Sequence, residues 1–216
     1  MQHQFEGRAR IIGVASRDTI EQIGAFVADT GVDTFPHAAD IDGHATDAHR
    51  AWSITKEAPK YDPEDVIIPP YLVDTTITRE DLTGYYHEVS RFDYYIGLVT
   101  SELKKQGVLE NTMIVVAADN GRPFPRCKSR MYDSGIKTPW VVHFPEVIKS
   151  PSITKSLISV IDLSATCLEL AGIKSPECVQ GRSFLPILKK PETTIREVVF
   201  AEHNWHVYQA HERMVR

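Results

Sequence analysis

Cysteine is scarce: only Cys127, Cys167 and Cys178 occur in 216 residues, with no C-x-x-C pair and no metal-ligand spacing among them. That excludes a zinc ribbon and a disulfide scaffold, and leaves the redox compartment open. Long apolar runs are missing too, for none approaches the roughly eighteen residues of a membrane span. The amino end, "MQHQFEGRARIIGVASRD", has no basic stretch followed by an apolar core, so no secretory leader is expected in it. Nor is there a basic excess, with 24 Lys and Arg against 29 Asp and Glu and a formal charge of −5. No nucleic-acid or membrane partner is indicated, and any basic site has to be local.

The residues present alternate strand and helix signals. "RIIGVA" at 10–15 reads as a buried strand. "DTIEQIGAFVADTG" then reads as a helix capped by Asp18 or Thr19, with Ile20, Ile23 and Val27 on one face and Gly31 at its end. The following "FPHAADIDG" resembles the corresponding segment of thioredoxin-like proteins of the thiol-disulfide oxidoreductase and peroxiredoxin kind. A C-x-x-C is absent, so this piece is not expected to carry redox chemistry, and a thioredoxin-like redox module is disfavoured. From His44 to Thr76 the composition turns to Pro, Asp and Tyr, which sets an expected boundary near residue 43 and an irregular wrapping segment after it.

The clearest helix signal follows. Thr78 with Asp81 forms a capping pattern, and Leu82, Tyr86, Val89, Phe92, Ile96, Val99 and Leu103 recur at helical spacing. Lys104 and Lys105 suit its carboxyl end, and Gly107 stops it. "NTMIVVAAD" reads as a strand buried on both faces, "TPWVVHF" as another, "VIDLSATCLELAG" as a helix closed by Gly172, and "REVVFAEHN" as a further strand. The alternation predicts an α/β layered fold with a largely parallel sheet and flanking helices.

Within it, the strand before Asp119 stops at Asp119-Asn120-Gly121, and the loop beyond carries Arg122, Arg126, Lys128 and Arg130. Ligands sit past the carboxyl ends of strands in open parallel sheets. Asp119 and Asn120 offer hard oxygen donors suited to Ca²⁺ or Mg²⁺, and the cations suit an oxyanion. Taken alone, Asp-Asn-Gly also reads as a tight turn.

The full stretch, "AADNGRPFPRCKSRMYDSGIKTP", resembles the sulfatase family, in which a strand ends in S-D-N-G and the loop supplies a cation and a Y-x-x-G-x-x-x-P run. "DPEDVIIPPYLVDT", "SVIDLSATCLELAGI", "GRSFLPIL" and "VVFAEHNWHVYQAHERMVR" look like its sulfamidase-like, heparan N-sulfatase branch, so the resemblance covers roughly residues 44–216. It implies the carboxyl-side part of an alkaline-phosphatase-like catalytic domain over 44–216, with residues 1–43 a foreign thioredoxin-like piece.

The implied roles follow residue by residue. Asp119 and Asn120 become metal ligands for Ca²⁺, and Lys128 a catalytic and substrate-binding group on the sulfate and the bridging leaving-group atom. "ATDAHRAW" is similar to the family's H-D-P-H-R-P-W and maps His49 onto a catalytic proton handler, the alternative being a surface histidine. Arg126, His203 and Asn204 are the further substrate-binding candidates. The partner implied is a sulfated carbohydrate or other small anion, hydrolysed as a sulfuric ester or sulfamidate. Family members are usually periplasmic, secreted or lysosomal.

The family nucleophile is a formylglycine made from the cysteine of C-x-P-S-R, and this chain holds no such motif. "RCKSR" at Cys127 lacks the proline and is one residue short. The paired early aspartates that complete the calcium site are absent as well. The chain alone is therefore expected to be inactive, to need a complementing chain or to self-associate, or to act as a non-catalytic binder of sulfated glycans.

Overall fold

A computed structural model describes residues 14–16, 38–40, 52, 56, 59–205 and 209–216. The described residues fall in two compact units, one ending at Leu109 and the other starting at Glu110. The helix expected after Asp18 and the boundary expected near residue 43 lie outside the described residues.

In the first unit, β1 (Val14–Ser16) pairs with β2 (Ala38–Asp40) in parallel, Val14 facing Ala38 and Ser16 facing Asp40. From residue 59 the chain is irregular, as its proline content foretold, with one 3₁₀ turn at Pro63–Asp65. Asp62 caps that turn by accepting the Glu64 N–H at 2.9 Å.

Arg79 pins this wrapping segment. Its Nε and Nη2 donate to the two oxygens of Asp74 at 2.7 and 2.8 Å, and Nη1 donates to the carbonyls of Pro63 and Glu64, both at 3.1 Å. The hydrogen bond from Arg79 holds the Asp74 carboxyl below the usual carboxylate range, so the pair stays charged into acid. A lysine cannot supply this planar fork. Limited proteolysis of Arg79→Lys should therefore cut within residues 59–75 markedly faster than in the unchanged chain, with α1 left intact; equal cutting rates would contradict the pinning role.

α1 (Thr76–Lys105) begins three residues earlier than its sequence pattern suggested. Thr75 is the cap, its Oγ1 accepting the Thr78 N–H at 3.2 Å, so Thr78 lies inside the first turn. Lys104 and Lys105 fill the last turn, and Gly107 at φ 69° ends the helix in the left-handed conformation. The buried face is rotated from the expected stripe. Leu82 and Leu103 are buried, but so are Thr83, Gly84, His87, Glu88 and Arg91, while Val89 and Phe92 are exposed. The cause is what packs there: Trp52 lies so close to Gly84 that a Cβ would come within 2.1 Å of its ring, and Tyr61 sits edge-on to His87 at 5.2 Å. Trp52 Nε1 also donates to Asp81 at 2.8 Å, and Arg91 donates to Glu88 at 2.8 and 3.1 Å, which makes burial of that charged pair tolerable.

The second unit holds β3 (Ile114–Ala117), the one-turn helix α2 (Asp133–Ile136), β4 (Trp140–His143), α3 (Asp162–Leu170), α4 (Leu185–Lys189), β5 (Phe200–Trp205) and β6 (Gln209–Val215). β3 runs antiparallel to β4, with Ile114 opposite His143 and Ala117 opposite Trp140, and it is half-buried along its length. β5 and β6 form an antiparallel hairpin, so parallel pairing among the described residues is confined to β1 and β2. The core gathers Phe124, Cys127, Phe144, Ala165, Phe184, Leu185 and Ile187, and Trp140 of β4 stands edge-on to Phe184 at 5.8 Å. Gly172 at φ 65° closes α3, as the sequence indicated. Helix and sheet are mixed, as the α/β reading expected. Among the described residues no helix is long and apolar enough to cross a membrane.

Candidate functional site

β3 delivers the chain to Asp119, which is exposed, and Asn120, which is half-buried. Gly121 then donates its N–H to the Gly135 carbonyl at 2.9 Å and closes the loop 122–134 onto itself. Its lack of a side chain matters through close approach, not through a left-handed backbone: a Cβ there would lie 2.2 Å from the Ser134 carbonyl oxygen. Asp-Asn-Gly is thus the start of a built loop and not an isolated turn.

Inside the loop the Arg122 carbonyl accepts two N–H groups, from Phe124 at 2.9 Å and from Lys128 at 3.0 Å. Cys127 donates to the Phe124 carbonyl and Arg130 to the Cys127 carbonyl, both at 3.1 Å. Phe124 and Cys127 form the loop's own small core, with Cys127 wholly buried. A buried thiol in apolar surroundings is a poor nucleophile, so Cys127 fills space here.

Lys128 is half-buried and stands between two residues in the left-handed region, Arg126 at φ 65° and Ser129 at φ 64°. For residues with side chains such backbone costs on the order of 1 kcal/mol each. Arg126 is exposed and lays its guanidinium over the Tyr132 ring at 4.6 Å, while Ser134 Oγ donates to the Arg126 carbonyl at 2.6 Å.

The β5–β6 hairpin borders the loop. Its side chains alternate: Phe200, Glu202 and Asn204 are exposed, as are His211, Arg213 and Val215 on the facing strand, whereas His203 is buried and Glu212 half-buried. His203 and Asn204, candidates for one rim, therefore point to opposite faces, as period-two geometry requires of adjacent strand residues. Asn204 is taken up on the outer face, donating to Glu202 at 3.3 Å and lying 3.5 Å from His211 Nδ1. His203 is paired across the ladder with Glu212, and Glu212 accepts from Arg130 at 2.7 Å. A second ion pair joins Arg216 to Asp133. Sequence reading missed both pairs, because partners separated by 82 and 83 positions leave no local signal.

His49 lies outside the described residues. Asp119 and Asn120 supply two oxygen-bearing side chains, fewer than the six to eight donors Ca²⁺ takes. Among the described residues there is no group of three His, Cys, Asp or Glu that could hold a metal. The described donors are therefore not a complete calcium site.

Comparison with known proteins fits this loop and hairpin to a family. Residues 126–216 match the family described as N-sulphoglucosamine sulphohydrolase, C-terminal. An ulvan-active sulfatase of Formosa agariphila is 37% identical over 138 residues, spanning 63% of this chain and 23% of that protein. Human N-sulphoglucosamine sulphohydrolase is 35% identical over 139 residues, spanning 60% of this chain and 28% of that one. The chain thus covers about a quarter of the length of these relatives. Among solved structures, BT4656 in complex with its substrate D-glucosamine-2-N,6-O-disulfate superposes with a TM-score of 0.58 at 23% identity, over 68% of this chain and 32% of that one, a likeness of fold. By sequence over residues 126–216 the chain carries a sulfamidase-like carboxyl-terminal region, and over two thirds of its length its fold is like that of a solved sulfatase.

Proposed function

We propose that the second unit supplies the strand-end part of a sulfatase site, binding the sulfate or N-sulfate of a sugar through Lys128 and acting on it only together with a segment that brings the nucleophile. The observation that carries this reading is the closed loop from Gly121 to Gly135, which folds the Lys128 backbone back onto Arg122, two positions after Asn120 in the chain. In that reading Lys128 donates to a sulfate oxygen and to the bridging atom, countering charge that builds on the leaving group as the sulfur bond breaks. Asp119 and Asn120 contribute two oxygen donors toward a divalent cation such as Ca²⁺, which when bound adds positive charge at the sulfate. His49 handles the leaving group's proton and Arg126 flanks the sugar, while Asn204, held on the hairpin's outer face, does not share a rim with the buried His203. Formylglycine chemistry has to come from outside this sequence, since no C-x-P-S-R is present in it. A non-catalytic binder of sulfated glycans would use the same loop.

The test is binding of a heparin-derived hexasaccharide by calorimetry, with sulfate release measured in parallel. Lys128→Ala should weaken binding at least about ten-fold, the value of one charge-assisted hydrogen bond. The chain alone should release no sulfate, and release should appear when a sulfatase fragment carrying C-x-P-S-R is supplied. Binding that ignores Lys128→Ala sinks the site. Binding that depends on Lys128 with no release after complementation leaves the binder reading in its place.

A further inference from the structure

Lys128 sits in a segment that ought not to hold its shape unaided. Arg126 and Ser129, on either side of it, both occupy the left-handed region, and neither is a glycine. Strained backbone of this kind persists where surrounding contacts over-determine it. The loop's own backbone bonds are short-range, all within residues 121–137. Two longer-range ties reach it from β6 and the residue just after it.

Glu212 of β6 accepts from Arg130, two residues beyond Lys128, and Arg216 reaches Asp133 at the start of α2. Residues 212 and 216 lie on one face of the extended chain, and the ladder is prolonged to Arg216 by reciprocal N–H to carbonyl bonds with Val199 at 2.9 and 3.0 Å. A rigid hairpin therefore grips the loop at two points, one on each side of Met131 and Tyr132. Charge reinforces the geometry. Arg130 is engaged by Glu212 and Arg126 by the Tyr132 ring, while Lys128 has no ion-pair partner among the described residues.

We infer that Glu212 is a positioning residue: through Arg130 it holds the left-handed loop in the shape that presents Lys128 to a sulfated ligand, and makes Lys128 the cation that meets it. This rests on the anion-binding reading above. It goes beyond that reading by placing control of the loop in the terminal hairpin.

The experiment uses the full chain and two readouts, amide hydrogen exchange across residues 122–136 and affinity for the heparin-derived hexasaccharide. Glu212→Gln, which keeps the shape and removes the charge, should speed exchange at the amides of residues 128–130 and weaken binding about three- to five-fold, the scale of one half-exposed ion pair. The unfolding midpoint and exchange in β3 and β4 should stay put, which a general structural role would not allow. The charge-swapped double variant Arg130→Glu with Glu212→Arg should restore slow exchange and most of the affinity. Unchanged exchange in Glu212→Gln, or a swap that restores neither readout, overturns the inference. Loss of binding in Lys128→Ala with none in Glu212→Gln overturns it while sparing the anion-binding reading. An unchanged chain that does not bind the hexasaccharide overturns that reading and the ligand role of Glu212 with it.

Discussion

Replacing Asp162 by alanine should abolish cooperative folding of the second unit, or lower its stability by about 3–5 kcal/mol, the usual cost of breaking a buried charged pair from one side. Asp162 is completely buried. One carboxylate oxygen accepts the Ser159 N–H at 2.7 Å, the other accepts the Arg182 N–H at 2.7 Å and the Arg196 guanidinium. Its carbonyl accepts Thr166 Oγ1 at 2.7 Å, and that hydroxyl oxygen accepts the Phe184 N–H at 2.9 Å. Three stretches remote in sequence, the start of α3, the approach to α4 and the segment before β5, meet at this one side chain. Gly181 completes the junction, since a Cβ there would fall 2.1 Å from the Ile161 carbonyl.

Alanine would strand the Arg196 side chain, only 12% exposed, with no countercharge. Asparagine keeps the volume and one acceptor, so Asp162→Asn should cost less, about 1.5–3 kcal/mol for the lost charge-assisted bonds. Since a domain is stable by about 5–15 kcal/mol in total, the first figure is a large share of it. Urea unfolding followed by circular dichroism decides the matter. A loss below about 1 kcal/mol for alanine would mean the network is ornamental, on the scale of an exposed pair.

That junction shows where sequence legibility stopped. The helix through Asp162 and its glycine stop were readable because apolar spacing and a left-handed terminator are local signals. The three-way use of one carboxylate was not, because its partners lie 3, 20 and 34 residues away. The start of α1 failed for a subtler reason. Thr75 and Thr78 are chemically identical caps three residues apart, and the choice between them fell to the tie between Arg79 and Asp74. Likewise the apolar spacing of α1 is genuine, but Trp52 and Tyr61 pack on the flank bearing Gly84 and His87 and leave Val89 and Phe92 outside. β6 was missed because "QAHERMV" offers no apolar alternation, its outer face being His211, Arg213 and Val215.

At the candidate site the division is similar. Asp119, Asn120 and the cation-rich loop could be read directly, since strand-end carboxylates and clustered Arg and Lys declare themselves by type. Two things could not. One is the divergence of His203 and Asn204, which needed the strand register to appear. The other is the reason for Gly121, which the sequence suggested was turning and the structure shows to be contact, as it does for Gly135.

Gly135 offers the sharpest check on that distinction. A Cβ on Gly135 would lie 2.2 Å from the Arg130 carbonyl oxygen and 2.3 Å from that of Cys127, both backbone atoms that no rotamer change can move. Gly135→Ala should therefore force the loop open around Cys127 while leaving the distant junction at Asp162 intact. The three cysteines report this without any ligand: Cys167 and Cys178 are exposed and Cys127 is buried. Maleimide labelling of the unchanged chain, read by intact mass, should add two labels, Cys167 the slower because burial pushes its thiol up, and the alanine variant should add a third. Overpacking against backbone costs about 1–3 kcal/mol, so the variant should stay folded with its circular dichroism largely retained. Hexasaccharide binding should fall at least as far as in Lys128→Ala, because the lysine and its neighbours lose their placement together. If Cys127 stays protected and binding is unchanged, the close approach is relieved without moving the loop, and the shape that presents Lys128 does not depend on glycine at this position.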